Sequence, residues 1–232
     1  MTGVHMTDIL DRDDVARTLD REHAEARAQA EARRQERAAL AEDGAEAPAP
    51  RRAWRDFREA QHFQHAYLSI GPAQGALLYM LARAAGARRI VEFGSSFGIS
   101  TLYLAAAAED NDGHVIGSEY YANKREHALA NLRDAGLAQR AEIRLGDALE
   151  TLGDVTGPVD FVFLDGDKSL YLPVLECLLP SLAPGAWVVA DNLDHFDETP
   201  GDFRHEILRD PRFTSRLIPV GRGMFSVSRH RG

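Results

Sequence analysis

The sequence predicts a doubly wound α/β fold: a mostly parallel sheet of seven strands wrapped by helices, an antiparallel hairpin at the carboxyl end and a helical arm at the amino end. Three observations predict it. From Trp54 onward, short apolar runs alternate with helical segments, the pattern of a parallel sheet covered on both faces. The stretch "VDFVFLDGDKSLY", residues 159–171, carries Val159, Phe161, Val162, Phe163 and Leu164 at a length that suits a strand buried on both faces, so Asp165, Asp167 and Lys168 fall at its carboxyl end. The terminal "FTSRLIPVGRGMFSVSRH" reads as two strands joined through Gly221 and Gly223, a hairpin that puts antiparallel pairing at one sheet edge.

Residues 8–42 are rich in Ala, Arg and Glu, with almost no large apolar side chain after Leu19. Helix propensity is good there but little can be buried, so residues 1–50 are expected to form an exposed or partner-packed arm, ended by the "GAEAPAP" linker at 44–50. Residues 51–232 form the second unit. Its expected elements are helices at 54–66 and 72–86, strand "RRIVEF", helix "GISTLYLAAAA", strand "HVIGSEY" and helix "NKREHALANLRDAG". Strand "AEIRLGD", a short helix at 148–153, the strand from Val159, helix "YLPVLECLLPSL" closed by "APG", strand "AWVVADN" and helix "DFRHEILRD" follow.

A chain of 232 residues holds one sizeable domain with a full core plus an arm. Of the net charge of −9, five excess negatives lie in residues 1–50, which carry 12 acids and 7 bases. No dense basic patch with interleaved aromatics appears, which argues against a nucleic-acid partner; the pair Arg51 and Arg52 is isolated. A single cysteine, Cys177, excludes an intrachain disulfide, fits a reducing compartment and reads as a packing residue. Neither a basic n-region with an apolar core nor a stretch approaching ~18 uncharged residues is present, so a soluble cytoplasmic protein without membrane contact is expected.

The chemistry starts at "VEFGSSFGIST". Glycines Gly94 and Gly98, the hydroxyls of Ser95, Ser96 and Ser100, and a following helix N-terminus let a ligand approach the backbone closely. The spacing is Gly-x-x-x-Gly, so the dinucleotide fingerprint lacks its second glycine. Glu92, directly before the loop, suits a positively charged group, and S-adenosylmethionine carries both an ammonium and a sulfonium. Glu119 in "GSEYY" stands where an acid takes ribose hydroxyls, and Asp147 and Ala148 in "LGDALE" stand beside an adenine.

"WVVADNLDHF" supplies Asp191 and Asn192 at the end of the strand that neighbours the one ending at Asp165. Three hard oxygen donors from two strand ends can occupy part of an octahedron around Mg2+, Mn2+ or Ca2+, with room for two substrate oxygens. No His or Cys set competes, which disfavours zinc. Asp165 as a helix cap and "DN" as a turn are the plain alternatives. His62 and His65 lack a third donor, and their reading is packing.

These residues resemble the class I S-adenosylmethionine-dependent methyltransferases and, within them, the cation-dependent O-methyltransferases that include catechol and caffeoyl-coenzyme A enzymes and their bacterial relatives. The resemblance runs over about residues 67–229, from "YLSIGPAQGALLYMLARAAGARRIVEFGSSFGISTLYLA" through "DFVFLDGDKSLY" and "WVVADN" to "LIPVGRGMFSVSR"; the arm is outside it. It implies a Rossmann-like methyltransferase fold, contacts to the methionine part of the cofactor from Glu92, Gly94 and Ser100, to the ribose from Glu119 and near the adenine from Ala148, with Ser96 as a further cofactor-binding residue and Asp167 facing the cofactor. It implies Asp165, Asp191 and Asn192 as metal ligands and Lys168 as the general base that takes the proton of a catechol-like or phenolic hydroxyl. The catechol enzymes of animals carry bulky residues at the positions of Gly166 and Asp167, so the wall over the cofactor differs here. His195 is a rival base, and Arg222 is a candidate for recognising a negatively charged substrate group. The expected partners are a small aromatic hydroxyl substrate and a second copy of the chain, across which the arm packs. A metal-independent enzyme with Asp165 or His195 as base, a cofactor-binding protein without turnover, and an NAD-dependent oxidoreductase are the competing readings.

Overall fold

The computed structural model describes residues 8–42, 61–196 and 198–232. The 44–50 linker, Arg51, Arg52 and the first part of the expected 54–66 helix lie outside the described residues.

Strands β1 (Arg89–Phe93), β2 (His114–Glu119), β3 (Ala141–Leu145), β4 (Val159–Leu164), β5 (Leu182–Ala190), β6 (Phe213–Val220) and β7 (Gly223–His230) form one sheet in the order β3-β2-β1-β4-β5-β7-β6. The first five pair in parallel, and β7 is antiparallel to both β5 and β6. The helices are α1 (Asp13–Glu42), α2 (Pro72–Ala84), α3 (Ile99–Asp110), α4 (Ala122–Asp134), α5 (Ala148–Thr151), α6 (Tyr171–Leu178) and α7 (Phe203–Arg209). The order reverses between β1 and β4, and the crevice at such a reversal, outside the strands' carboxyl ends, is where open α/β sheets take their ligands.

Side-chain parity builds the two core layers. Ile90, Phe161 and Phe163 face the layer of α2 and α3, while Val91, Phe93, Val162 and Leu164 face the layer of α6 and α7, as strand alternation requires. Every residue of β4 except Asp160 is fully buried, each large one contributing roughly 2 kcal/mol relative to exposure. Asp160 accepts the N–H groups of Arg88 and Arg89 at 2.9 Å each, which ties down the start of β1.

Two expectations change. "APG" does not close a helix: β5 already begins at Leu182, and its register against β4 jumps from Val159–Leu182 to Phe161–Trp187. Pro184, which has no N–H to give, falls inside that irregular stretch, where the ladder is interrupted.

The arm also differs from its reading. Along α1 the covered residues are Val15, Thr18, Leu19, Glu22 and His23, with Ala26, Gln29 and Arg33 half-buried. That is a helical stripe of i, i+3, i+4 spacing, but most of its members are polar, so a search for large apolar residues misses it. Hydrogen bonds satisfy it: Glu22 Oε2 accepts Tyr67 OH at 2.8 Å and faces His127 Nε2 at 3.0 Å. His23 Nε2 meets Tyr103 OH at 3.0 Å, Arg21 donates to Asn131 Oδ1 at 2.6 Å, and Gln29 and Arg33 bond the backbone of His65 and Tyr67. Residues 34–39 are exposed. Burial and its own hydroxyl partner push the Glu22 carboxyl in opposite directions, and with His127 and Arg21 added the net effect is downward.

No helix among the described residues is long and apolar enough to cross a membrane. Tyr67→Phe removes one donor from Glu22 and is expected to lower stability by about 1–2 kcal/mol in urea unfolding, with no change in the far-ultraviolet spectrum.

Candidate active site

The site is built on three strand ends. The ladder continues one residue past each strand: Asp165 N donates to Phe93 O at 2.9 Å, and Asp191 N to Leu164 O at 3.0 Å. Leu164 pairs with Ala190, so Asp165 and Asp191 are opposed, their backbones about 4.8 Å apart, with side chains on one face. Asn192 follows in the left-handed region, at φ 59°, where Asn is among the few residues tolerated; the strand therefore ends in a sharp turn.

Each carboxylate is half claimed. Asp191 Oδ1 accepts Gln74 Nε2 at 2.9 Å and Asn192 N at 2.5 Å. Asp165 Oδ1 accepts Lys168 Nζ at 3.3 Å. Among the described residues no donor meets either Oδ2. Burial pushes the Asp165 carboxyl up to about 8; Lys168 opposes the rise and the Asp191 charge adds to it. Burial raises Asp191 as well, against the Asn192 N–H, Lys168 and Gln74. Two buried carboxylates beside one lysine are short of positive charge, and a hard divalent cation relieves that with the donor set present: two carboxylate oxygens and the amide of Asn192. Among the described residues no group of three or more His, Cys, Asp or Glu is placed to hold a metal ion, so a cation here would need a donor of another type, for which the Asn192 amide is the candidate.

Lys168 Nζ also donates to Gly166 O at 3.2 Å, lies 2.6 Å from Tyr171 OH, and sits 4.7 Å from the Tyr171 ring centre. It does not pair with Asp167. Asp167 instead caps the turn at 168–170, accepting Ser169 N at 2.9 Å; the capping task considered for Asp165 belongs to Asp167. Tyr171, read from sequence only as a helix residue, is fully buried and reaches Asp191 O at 3.4 Å.

On the β1 side the loop is organised by two acids. Glu92 is fully buried and its Oε2 accepts Ser95 Oγ at 2.6 Å and Thr101 Oγ1 at 2.5 Å. Its Oε1 has no hydrogen-bond partner among the described residues. Burial raises this carboxyl, and the Ser100, Ser95 and Thr101 hydroxyls pull it back. Glu119 spends one oxygen on Ser96 N and the other on Tyr121 N, both at 2.8 Å; each oxygen keeps a lone pair for a ligand hydroxyl. Gly94 has φ 95°, and a Cβ there would come within 2.7 Å of Gly166 Cα: the loops after β1 and β4 touch backbone to backbone. Ser100 and Ala148 are buried at the starts of α3 and α5. Lys124, which sequence reading passed over, is buried beside this loop, 3.3 Å from Ser96 Oγ and over the Phe97 and Tyr121 rings; burial pushes its ammonium down to about 8.

A cavity of about 260 Å³ opens beside Lys168, walled by Leu172, Phe196 and Phe203 with Asp202 at its edge. His195 is exposed and 3.8 Å from Asp194. Arg222 is exposed on the β6–β7 turn. Cys177 is half-buried on α6, away from these groups in the chain.

With fold and site described, residues 91–193 match the family model described as a methyltransferase domain. Curated relatives and solved structures similar to the chain are O-methyltransferases by name. A catechol O-methyltransferase from Mycobacterium tuberculosis is 38% identical over 127 residues, covering 54% of this chain and 57% of that protein. One from Niastella koreensis is 35% identical over 130 residues, covering 54% and 58%. The chain thus spans rather more than half the length of these two curated relatives. The crystal structure of an O-methyltransferase from Bacillus cereus, in complex with S-adenosylhomocysteine, superposes with a TM-score of 0.63 at 26% identity, covering 77% of this chain and 92% of that one.

Two outcomes follow from the geometry. Gly94→Ala forces a side chain into the left-handed region and against Gly166, and is expected to cost about 2 kcal/mol or more in urea unfolding. A carboxyl whose folded pKa lies above its unfolded value opposes folding once pH exceeds the latter. For Asp165 that opposition grows from the ordinary value of 3.8 to about 8. In EDTA, the thermal midpoint of Asp165→Asn should therefore gain on that of the parent progressively across this range, and a flat difference would contradict the buried placement.

Proposed function

We propose that the chain is an S-adenosylmethionine-dependent, cation-dependent O-methyltransferase that acts on a vicinal dihydroxy aromatic or similar small phenol. The observation that carries this reading is the opposed pair Asp165 and Asp191, each offering one oxygen that no donor among the described residues claims, beside a loop shaped for close ligand approach.

S-adenosylmethionine supplies a methyl carbon open to in-line displacement. A divalent cation held by Asp165, Asp191 and Asn192 supplies the charge that lowers the pKa of a phenol from about 10. The remaining work falls to the chain. Gly94 keeps the β1 loop in contact with the β4 loop, so groups held on one stand at a fixed offset from groups held on the other. Glu119 and Ala148 flank the cofactor's ribose and adenine ends. Lys168 Nζ, tethered between Asp165 and Tyr171 OH, receives the acceptor's proton when it is in its amine form. Leu172 and Phe196, backed by the buried Phe203, give the cavity next to that amine an apolar wall, which favours an aromatic acceptor over an aliphatic alcohol.

The same reading takes the protein as cytoplasmic, supported by its single cysteine and the lack of an apolar span among the described residues. It also takes it as a homodimer joined through the exposed residues 34–39 of α1, which sedimentation equilibrium tests directly.

The deciding experiment is methylation of a panel of catechols and monophenols in Mg2+, Mn2+ or EDTA, with products read by mass. Turnover of catechols that EDTA abolishes and Mg2+ restores is expected; turnover indifferent to chelator selects a metal-independent enzyme instead. Asp191→Ala should lose at least 100-fold in turnover while S-adenosylhomocysteine affinity stays within a few-fold. Glu119→Ala should do the reverse, weakening cofactor affinity first.

A further inference from the structure

We infer that Gln74 is a positioning residue that fixes the orientation of the Asp191 carboxylate, so that its donor-free oxygen faces the cation site; the inference rests on the metal-binding reading proposed above. Gln74 is buried in the first turn of α2, 117 residues from Asp191 in sequence. Its Oε1 accepts the Gly71 backbone N–H at 3.0 Å. A backbone N–H only donates, so that bond settles the orientation of the amide and leaves the NH2 group as the half that lies 2.9 Å from Asp191 Oδ1.

Asn192 N donates to the same oxygen at 2.5 Å. Both donors thus converge on Oδ1, and Oδ2 is the oxygen left for a ligand. Turning the carboxylate plane away from this orientation would strand one buried amide N–H and one backbone N–H at once. Asn192 N cannot prevent this alone, since it is adjacent in the chain and moves with the same turn. Gln74 is anchored independently, on a helix cap in another layer of the fold.

The β6–β7 hairpin leaves room for this contact. A Cβ at Gly223 would stand 3.1 Å from Gln74 Nε2 and 3.4 Å from Asp191 Oδ1. Gly223 is outside the left-handed region, so alanine there disturbs the pair without straining the backbone.

The test uses the full chain with Mn2+ as the probe, its free concentration followed by electron paramagnetic resonance, and S-adenosylhomocysteine affinity measured by calorimetry in EDTA. Gln74→Leu keeps the volume and removes the donor; its Mn2+ dissociation constant is expected to rise about tenfold, with S-adenosylhomocysteine affinity within twofold of the parent. Gly223→Ala should give a smaller rise of roughly threefold with the same unchanged cofactor affinity. Unchanged Mn2+ affinity in Gln74→Leu overturns the inference, as does a parallel loss of both affinities, which would make Gln74 a cap only. If Gln74→Leu fails to fold, Gly223→Ala decides alone, and unchanged Mn2+ binding there overturns it. A parent protein that binds no Mn2+ defeats the metal reading itself, a failure separate from that of either variant.

Discussion

The site depends on a backbone constraint: the parallel ladder runs one residue beyond the strands, so that Asp165 N is bonded to Phe93 O and Asp191 N to Leu164 O. Those two bonds put two acids opposite each other in a place where neither would stay ionised by choice. Burial raises both, with the Asp191 charge adding to Asp165 and the Asp194 charge to Asp191, and the surrounding fold has to supply compensation. Lys168 and Tyr171 do so on one side, Gln74 and the Asn192 N–H on the other. The core beneath makes this possible, because β4 is packed on both faces and cannot relax to separate the charges.

The β1 side solves the opposite problem. Its loop must be open enough for a ligand yet defined in shape, and glycines alone would leave it loose. Glu92 gathers two hydroxyls from the loop and α3, while Glu119 holds the loop's backbone through Ser96 N. Both acids therefore have work within the protein besides any contact with a cofactor, and the unpartnered Oε1 of Glu92 is the atom still available to one.

The succession of strands along the chain, the loop and the acids at the strand ends were legible because they follow from local pattern: apolar runs of strand length, glycine spacing, acids where such runs stop. The three proposed oxygen donors do end up at neighbouring strand ends, as the alternation implied. What sequence could not supply was anything fixed by distant packing. Gln74 sits in an ordinary helix start, and nothing in "GPAQGALL" says that its amide reaches Asp191. Tyr171 reads as one more helix residue, and Lys124 as a surface base of a polar helix, although it is buried. The start of β5 was misplaced because Pro184 and Gly185 signal a turn, and only the interrupted pairing with β4 lets them lie in a strand.

The polar stripe of α1 has a thermodynamic character of its own. Glu22, His23, Gln29 and Arg33 fasten the helix through directional bonds rather than through apolar area, and Tyr67, which takes three of those bonds, lies stacked on Phe97 of the glycine loop at 4.3 Å between ring centres. Peeling the helix away from Glu22 onward, beyond the buried Val15 and Leu19, uncovers little hydrocarbon, so release of that part should carry a small heat-capacity change and respond only weakly to denaturant. The amino-terminal segment and the loop would then loosen together under mild conditions that leave the sheet intact.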